Sequence, residues 1–433
     1  MKLFGTSGIR AVFDKDLVNL AFKVGMALGR SYTDVVVGTD TRTSGDVMKH
    51  AVMSGLLAAG AGCRDAGIAP TPTIALATRE FAAGVMITAS HNPPEYNGIK
   101  LLNPDGSSFD SVQQGLMEEA IMVEMLETAP WEAVKRSHIY EGAIEHHVES
   151  LLPYFPGGLK LRVVVDAGCG AAAEVTPRLL KGLGCEVIEL NCYPSGFFPR
   201  GIEPTEANLE GLKQAVRESG ASLGIAHDGD ADRMMAVDDR GDFIPGDKLL
   251  AIFARAVEAG EVVTTLDASM AIEEMGFRVR RTRIGDTWVS EELRNGGDFG
   301  GEASGSWVFP DISLCPDGIY AAARLVAIAS RQKLSELVDG IFAYPLLRGS
   351  VSSDGMALSS LEAALMAMEP SSVSRIDGIK LDFKDGWLLV RPSGTEPKIR
   401  LTAEAKNEAR ARQLYDGGLV AISNTAGIKG RID

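Results

Sequence analysis

The chain has 433 residues, 45% hydrophobic and 23% charged, a globular composition too long for one compact domain. A formal net charge of −15 argues against a nucleic-acid binder, which would carry a basic surface, but leaves anionic small molecules open, because a few arginines can outweigh the global charge inside a cleft. No run of about 18 apolar residues occurs, no apolar leader follows "MKLFGTSGIR", and five scattered cysteines form no C-x-x-C pair; the expectation is a cytoplasmic protein with reduced thiols and no membrane partner.

In chain order, "VVVGTD" reads as a strand covered on both faces, "TRTSG" as a turn, and Met48, Val52, Leu56 and Ala59 as one face of a helix. "AAGVMITAS" is a second buried strand. It runs into Ser90, His91, Asn92, Pro93 and Pro94, where the prolines stiffen the backbone. A serine hydroxyl is a poor nucleophile without a base or a metal, and His91 and Lys100 are placed to supply proton transfer or charge. A polar turn with a helix-capping serine is the plain alternative.

From residue 161, "LRVVVD", a glycine turn, the helix "AAAEVTPRLLKGLG" and "CEVIEL" repeat the strand–helix–strand scheme. Gly168, Gly170, Ala173 and Glu189 there meet the spacing of a dinucleotide fingerprint, which makes an NAD-dependent oxidoreductase a rival reading. Next, "ASLGIAHDGDADR" is a strand ending in Asp228, Asp230 and Asp232, whose alternation in an extended segment would project three carboxylates to one side. Three hard oxygen ligands suit Mg²⁺, and Arg233 would hold a phosphate. A solvated acidic turn is the alternative, and an aspartyl phosphatase is a second rival activity. An EF-hand is excluded because the sixth-position glycine and the distal glutamate are missing.

Residues 249–280 give helix, "VVTTLD", helix and "FRVRRT". In "GEASGSWVFP", Glu302 and Ser304 sit in a glycine turn able to accept and donate to vicinal sugar hydroxyls, or simply to turn the chain. In "RPSGTEPKIR", Arg391, Ser393 and Thr395 surround Gly394 in an anion nest, with Arg400 in support. That segment reads as two strands around a tight loop followed by a helix from about Asn407, an α+β pattern unlike the preceding α/β units.

"FGTSGIR", "TASHNP", "DGDADR", "GEASGS" and "RPSGTEP", in this order and across nearly the whole chain, resemble the α-D-phosphohexomutase superfamily of phosphoglucomutases, phosphomannomutases and phosphoglucosamine mutases. The resemblance implies an α/β fold of four domains around a central cleft. Three are related α/β domains with mixed, mostly parallel sheets (1–142, 143–242 and 243–346), and a smaller C-terminal α+β domain covers 347–433. It implies a Mg²⁺-dependent isomerase that moves a phosphoryl group between the 6- and 1-positions of a hexose phosphate, through phospho-Ser90 and a bisphosphorylated sugar that also primes the enzyme. Ser90, Asp228, Asp230 and Asp232 would hold one Mg²⁺ per subunit, and Arg10 and Arg233 would stabilise the phosphoryl group in transfer. His91 and Lys100 would serve proton transfer and charge, Glu302 and Ser304 would read the sugar, and Arg391, Ser393, Gly394, Thr395 and Arg400 would grip the second phosphate. A homodimer is a further expectation.

Two departures bear on the sugar. Ser306 stands where many members have histidine, and "R-T-x-x-G-D" over residues 281–286 is closer to phosphoglucosamine mutases and archaeal-type hexomutases. Asp286 would then pair with a 2-ammonium group. Glucosamine phosphate is favoured slightly over a dual phosphomannomutase/phosphoglucomutase specificity. A catalytically silent sugar-phosphate sensor is a third rival, set against the intact serine and aspartate loops.

Overall fold

The computed structural model describes residues 3–5, 7–122, 127–352, 358–392 and 398–426. Its strands form four sheets taken in chain order, the four-unit α/β architecture expected from the sequence. The first sheet collects β1 (Ile9–Val12), β2 (Asp34–Thr39), β3 (Gly62–Ile68), β4 (Ala83–Ile87), β5 (Tyr96–Leu102) and β6 (Ser137–Ile139) in the order β1-β5-β4-β2-β3-β6. The apolar runs of β2 and β4 are buried, as parallel strands between helices must be. β5 returns antiparallel to β4 and sets Lys100 opposite Met86, beside the serine loop.

The second sheet has β7 (Arg162–Asp166), β8 (Glu186–Leu190), β9 (Leu223–His227), β10 (Met234–Val237) and β11 (Phe243–Ile244), ordered β11-β10-β9-β7-β8. The third has β12 (Glu261–Thr265), β13 (Arg278–Thr282), β14 (Phe299–Gly301) and β15 (Trp307–Val308), ordered β13-β12-β14-β15. In both, parallel strands carry an antiparallel hairpin on one side, and that hairpin's loop bears the chemistry: the aspartates join β9 to β10, and Glu302 and Ser304 join β14 to β15. The fourth sheet is wholly antiparallel, with β16 (Leu346–Ser352), β17 (Ser372–Ser374), β18 (Ile379–Phe383), β19 (Gly386–Pro392) and β20 (Lys398–Ala405) in the order β16-β20-β19-β18-β17. The helix Glu408–Ala426 covers it.

The apolar core shows which units are welded together. One continuous cluster runs from Val163 and Leu223 through Phe253 and Phe299 to Tyr320, so the second and third units share a core. The fourth unit has a core of its own and meets the third through a small patch of Leu266, Trp387 and Leu389. Glu404 crosses that seam, accepting from Ser269 Oγ at 2.5 Å, Met270 N at 2.8 Å and Trp387 Nε1 at 2.7 Å. The junction expected near Leu347 falls inside β16, and the stretch 340–345 is what links the helix Leu334–Asp339 to that strand.

Candidate active site

Ser90 ends the buried run of β4 with a φ of 50°, a left-handed conformation that costs a non-glycine residue about 1 kcal/mol and so has to be held in place. Its amide donates to Thr88 Oγ1 at 2.8 Å, and its hydroxyl donates to Asp228 Oδ2 at 2.6 Å and lies 3.3 Å from His91 Nδ1. Arg42 holds the rest of the loop. Its guanidinium donates to the carbonyls of Ser90 (2.9 Å), Asn92 (2.7 Å), Pro93 (2.7 Å) and Tyr96 (2.9 Å), and Asp40 accepts from its Nε at 3.1 Å. Neither Arg42 nor Asp40 stood out in the sequence; the signal available was a charged pair, "D-T-R", directly after a buried strand.

The aspartate loop is not extended. Residues 228–232 form a turn at the tip of the β9–β10 hairpin, with Ala231 at φ 57°. Convergence thus comes from a tight reversal and not from period-two alternation, and it brings one oxygen from each of Asp228, Asp230 and Asp232 within 4.8 Å of the others. Gly229 allows the close approach: a Cβ there would stand 2.7 Å from the Ser90 carbonyl oxygen.

Lys100 Nζ bridges Asp230 Oδ2 (2.6 Å) and Asp232 Oδ2 (2.5 Å), and Thr71 Oγ1 adds a bond to Asp230 at 2.5 Å. Burial opposes charge throughout. It raises Asp228 and Asp232, with their neighbouring carboxylates adding to the rise, whereas the Lys100 ammonium outweighs burial at Asp230 and holds that carboxyl below the usual range. Burial would likewise lower Lys100, but Asp230 and Asp232 raise it above the ordinary lysine range. Lys100 is thus held as a cation between two of the aspartates, in a position to supply charge at the site. The other oxygens, Asp230 Oδ1 and Asp232 Oδ1, are buried without a hydrogen-bond partner. Such orphans are costly unless a cation meets them, and three hard carboxylates with two open oxygens fit Mg²⁺.

Around this centre, Arg10 Nη1 donates to Asn92 Oδ1 at 3.1 Å and Arg233 Nη1 to Glu203 Oε1 at 2.6 Å. Burial, then Arg233 and Arg10, push the imidazolium of His91 down to about 2, so the ring is neutral. Ser7 Oγ donates to Asp286 Oδ1 at 2.5 Å, joining the first loop to the third unit. Glu302 accepts from Gly285 N (2.5 Å) and Ser304 Oγ (3.0 Å), and burial with Asp286 beside it raises its carboxyl to about 7. Glu302 and Ser304 open on a cavity of about 560 Å³ reaching Asp267, Arg348 and Glu404, large enough for a sugar ring. Ser306 is buried, its carbonyl accepting from Glu302 N at 2.9 Å, so it closes the turn that carries Glu302 and Ser304.

On the fourth unit, Arg391 and Arg400 face each other across the β19–β20 pair. Arg391 Nε is buried without a hydrogen bond, 3.7 Å from Asp377, whose carboxylate also accepts from Ile284 N at 3.2 Å. Ser393, Gly394 and Thr395 lie outside the described residues.

The dinucleotide-like turn has another use. The Ala171 amide donates to Gly229 O at 2.9 Å, and a Cβ on Gly170 would stand 2.8 Å from the same oxygen. The helix N-terminus that would hold a pyrophosphate is instead capped by the aspartate loop.

Four profiles of the phosphoglucomutase/phosphomannomutase family match in series: α/β/α domain I over residues 1–125, domain II over 145–241, domain III over 245–344 and the C-terminal domain over 350–417. A probable phosphoglucosamine mutase of Methanococcoides burtonii is 48% identical over 94% of this chain and 96% of its own. A phosphoglucosamine mutase of Methanococcus aeolicus is 40% identical over 98% and 99%. Among solved structures, a phosphoglucomutase/phosphomannomutase family protein of Burkholderia thailandensis superposes with a TM-score of 0.89 at 28% identity, covering 99% of this chain and 98% of that one.

Proposed function

The chain belongs to the phosphoglucomutase/phosphomannomutase family and is a phosphohexomutase, and from that premise we propose that it interconverts glucosamine 6-phosphate and glucosamine 1-phosphate, with Ser90 as the phosphoryl carrier. The observation that carries the reading is the meeting of two loops from different units: Ser90 Oγ lies 2.6 Å from Asp228 Oδ2, in a site where two further aspartate oxygens stand unpartnered.

The residues divide the work. In-line phosphoryl transfer is mostly positioning and charge stabilisation, and Arg42 and Thr88 set the Ser90 oxygen before any substrate arrives. Asp228, Asp230 and Asp232 would hold Mg²⁺, which when bound neutralises charge on the transferring phosphoryl group. Arg10 and Arg233 stabilise the equatorial oxygens. His91 Nδ1, 3.3 Å from Ser90 Oγ, takes the hydroxyl proton when the phosphoryl group returns to the serine, its basicity raised by the phosphate anion then beside it. Glu302 and Ser304 hold vicinal hydroxyls, and Arg391 and Arg400, with Ser393, Gly394 and Thr395 of the same segment, hold the phosphate that is not transferring. The bisphosphorylated sugar then turns over, and its other phosphate meets Ser90.

Preference for the amino sugar rests on the names of the relatives and on Asp267, Asp286 and Glu302, whose mutual repulsion is part of what raises Glu302. The test is kcat/KM on glucosamine, mannose and glucose 6-phosphates side by side, with Mg²⁺ and a bisphosphate primer. A preference of about tenfold for the amino sugar, or about 1.4 kcal/mol, is expected. Equal or better rates on mannose and glucose phosphates would replace the reading with a dual-specificity phosphomannomutase/phosphoglucomutase. A cytoplasmic location and a homodimer belong to the same reading; among the described residues, no helix is long and apolar enough to cross a membrane.

A further inference from the structure

Away from the cleft, the helices Gly246–Ala256, Gly318–Ala329 and Leu334–Asp339 enclose a groove of about 260 Å³. Its floor is apolar, built by Ile252, Ala256, Ile328 and Leu337. Its polar lining is Arg255, Arg324, Arg331 and Gln332, with no acidic side chain. In a chain carrying a net charge of −15, three arginines around one apolar groove, none with a carboxylate partner among the described residues, are out of keeping with the rest of the surface.

Ordinary causes account for part of this. Arg255 lies in the last turn of its helix and Arg331 just beyond the end of another, where a cation offsets the negative dipole end. Arg324 lies inside its helix, packed over the rings of Phe155 (5.4 Å) and Tyr320 (5.1 Å) and donating from Nη2 to the Tyr320 hydroxyl. A guanidinium braced in this way has little freedom left to lose when an anion arrives beside it.

We propose that this groove binds a nucleoside diphosphate, its base on the apolar floor and its phosphates on Arg255, Arg324 and Arg331. The charge calls for more than one negative group, since three arginines and no carboxylate line the groove. The floor requires a flat apolar body, which inorganic anions lack, and guanidinium planes also stack on a base. The site has a route to the cleft. Ile341 lines both the groove and the 560 Å³ cavity, and the stretch 340–345 that begins beside it runs into β16 of the fourth unit. Occupancy therefore acts on the seating of the phosphate-gripping unit and shifts KM for the sugar phosphate.

The probe is ADP, titrated calorimetrically into the full-length enzyme saturated with a bisphosphorylated hexose, so that the cleft is filled. Pyrophosphate and adenosine are run separately. The expected result is submillimolar ADP binding at least tenfold tighter than either fragment. The Arg255→Ala/Arg331→Ala double variant should weaken it at least tenfold; both side chains are exposed and outside the cleft, so basal turnover stays unchanged. In the wild type, ADP should move KM at least twofold, and in the variant it should not. The proposal is overturned if ADP fails to bind at millimolar concentration, binds the variant equally well, is matched by pyrophosphate or by adenosine, or binds without moving KM.

Discussion

Replacing Arg42 by methionine removes five interactions at once while keeping an unbranched chain in the space. Four carbonyl oxygens, that of Ser90 buried and those of Asn92, Pro93 and Tyr96 partly so, lose a charged donor, and Asp40 is left as a buried carboxylate without its cation. An unsatisfied buried acceptor costs about 1–3 kcal/mol and a broken buried ion pair about 3–5 kcal/mol, and the losses are not additive because one relaxation relieves them all. Asp40, already pushed up to about 6 by burial, escapes further cost by taking a proton. The net figure is about 3–5 kcal/mol, confined to the loop, since Arg42 grips residues 90–96 and little else. Amide exchange over 88–96 should speed up by about two to three orders of magnitude, with the other units unchanged. Single-turnover transfer from a bisphosphorylated hexose should slow by about a hundredfold, the expected cost of displacing a reacting atom by about 1 Å, while KM stays within about threefold. Arg42→Lys, which keeps the charge but cannot reach four carbonyls, should fall between, and added guanidinium should partly rescue Arg42→Met. If the loop loosens as described and transfer remains within twofold of wild type, the argument that Arg42 sets the Ser90 oxygen is wrong.

Other consequences follow from the same geometry. Glu302 has a folded-state pKa of about 7 against an ordinary value of 4.5, so the native state binds its proton more tightly than the unfolded chain. Its stabilising contribution is full below pH 4.5 and is lost as pH rises through 7; wild type should lose up to about 3 kcal/mol relative to Glu302→Gln across that window. A hydroxyl acceptor must be ionised to work well, so kcat/KM should fall on the acid side with a midpoint near 7, and that limb should vanish in Glu302→Gln. Chelated enzyme should be inactive and should regain activity and melting temperature with Mg²⁺; at a hundredfold excess over Kd the stabilisation is about 2.7 kcal/mol. Asp230→Asn should abolish that thermal shift, and an undiminished shift would move the metal elsewhere.

Much of this site was legible because each functional loop follows a strand whose apolar run is unmistakable. "GVMI" before Ser90 and "LGIAH" before Asp228 announce buried strands, and a polar cluster directly after such a strand has to lie at the carboxyl end of the sheet. The conformation of the loops was not legible. Alternating aspartates suggested an extended segment because period two is a strand property, yet the residues between them are Gly229 and Ala231, and Ala231 adopts a left-handed turn. Lys100 could be singled out as a source of proton transfer or charge, but not its aspartate partners, which lie 130 and 132 residues away in sequence. Arg42 was invisible for the related reason that its partners are backbone carbonyls, which leave no trace in residue type. The dinucleotide fingerprint misled because the glycines that admit a pyrophosphate also admit another backbone, here that of Gly229.

The central claim is that Ser90 carries the phosphoryl group. Enzyme mixed rapidly with a radiolabelled bisphosphorylated hexose and Mg²⁺, then quenched and digested, should carry label on the peptide containing Ser90. The label should chase into sugar when unlabelled hexose 6-phosphate is added, and Ser90→Ala should take up none. Label on the peptide containing Asp228 and Asp230, or label appearing only as free phosphate, would contradict the account and point to an aspartyl phosphatase built on the same cleft.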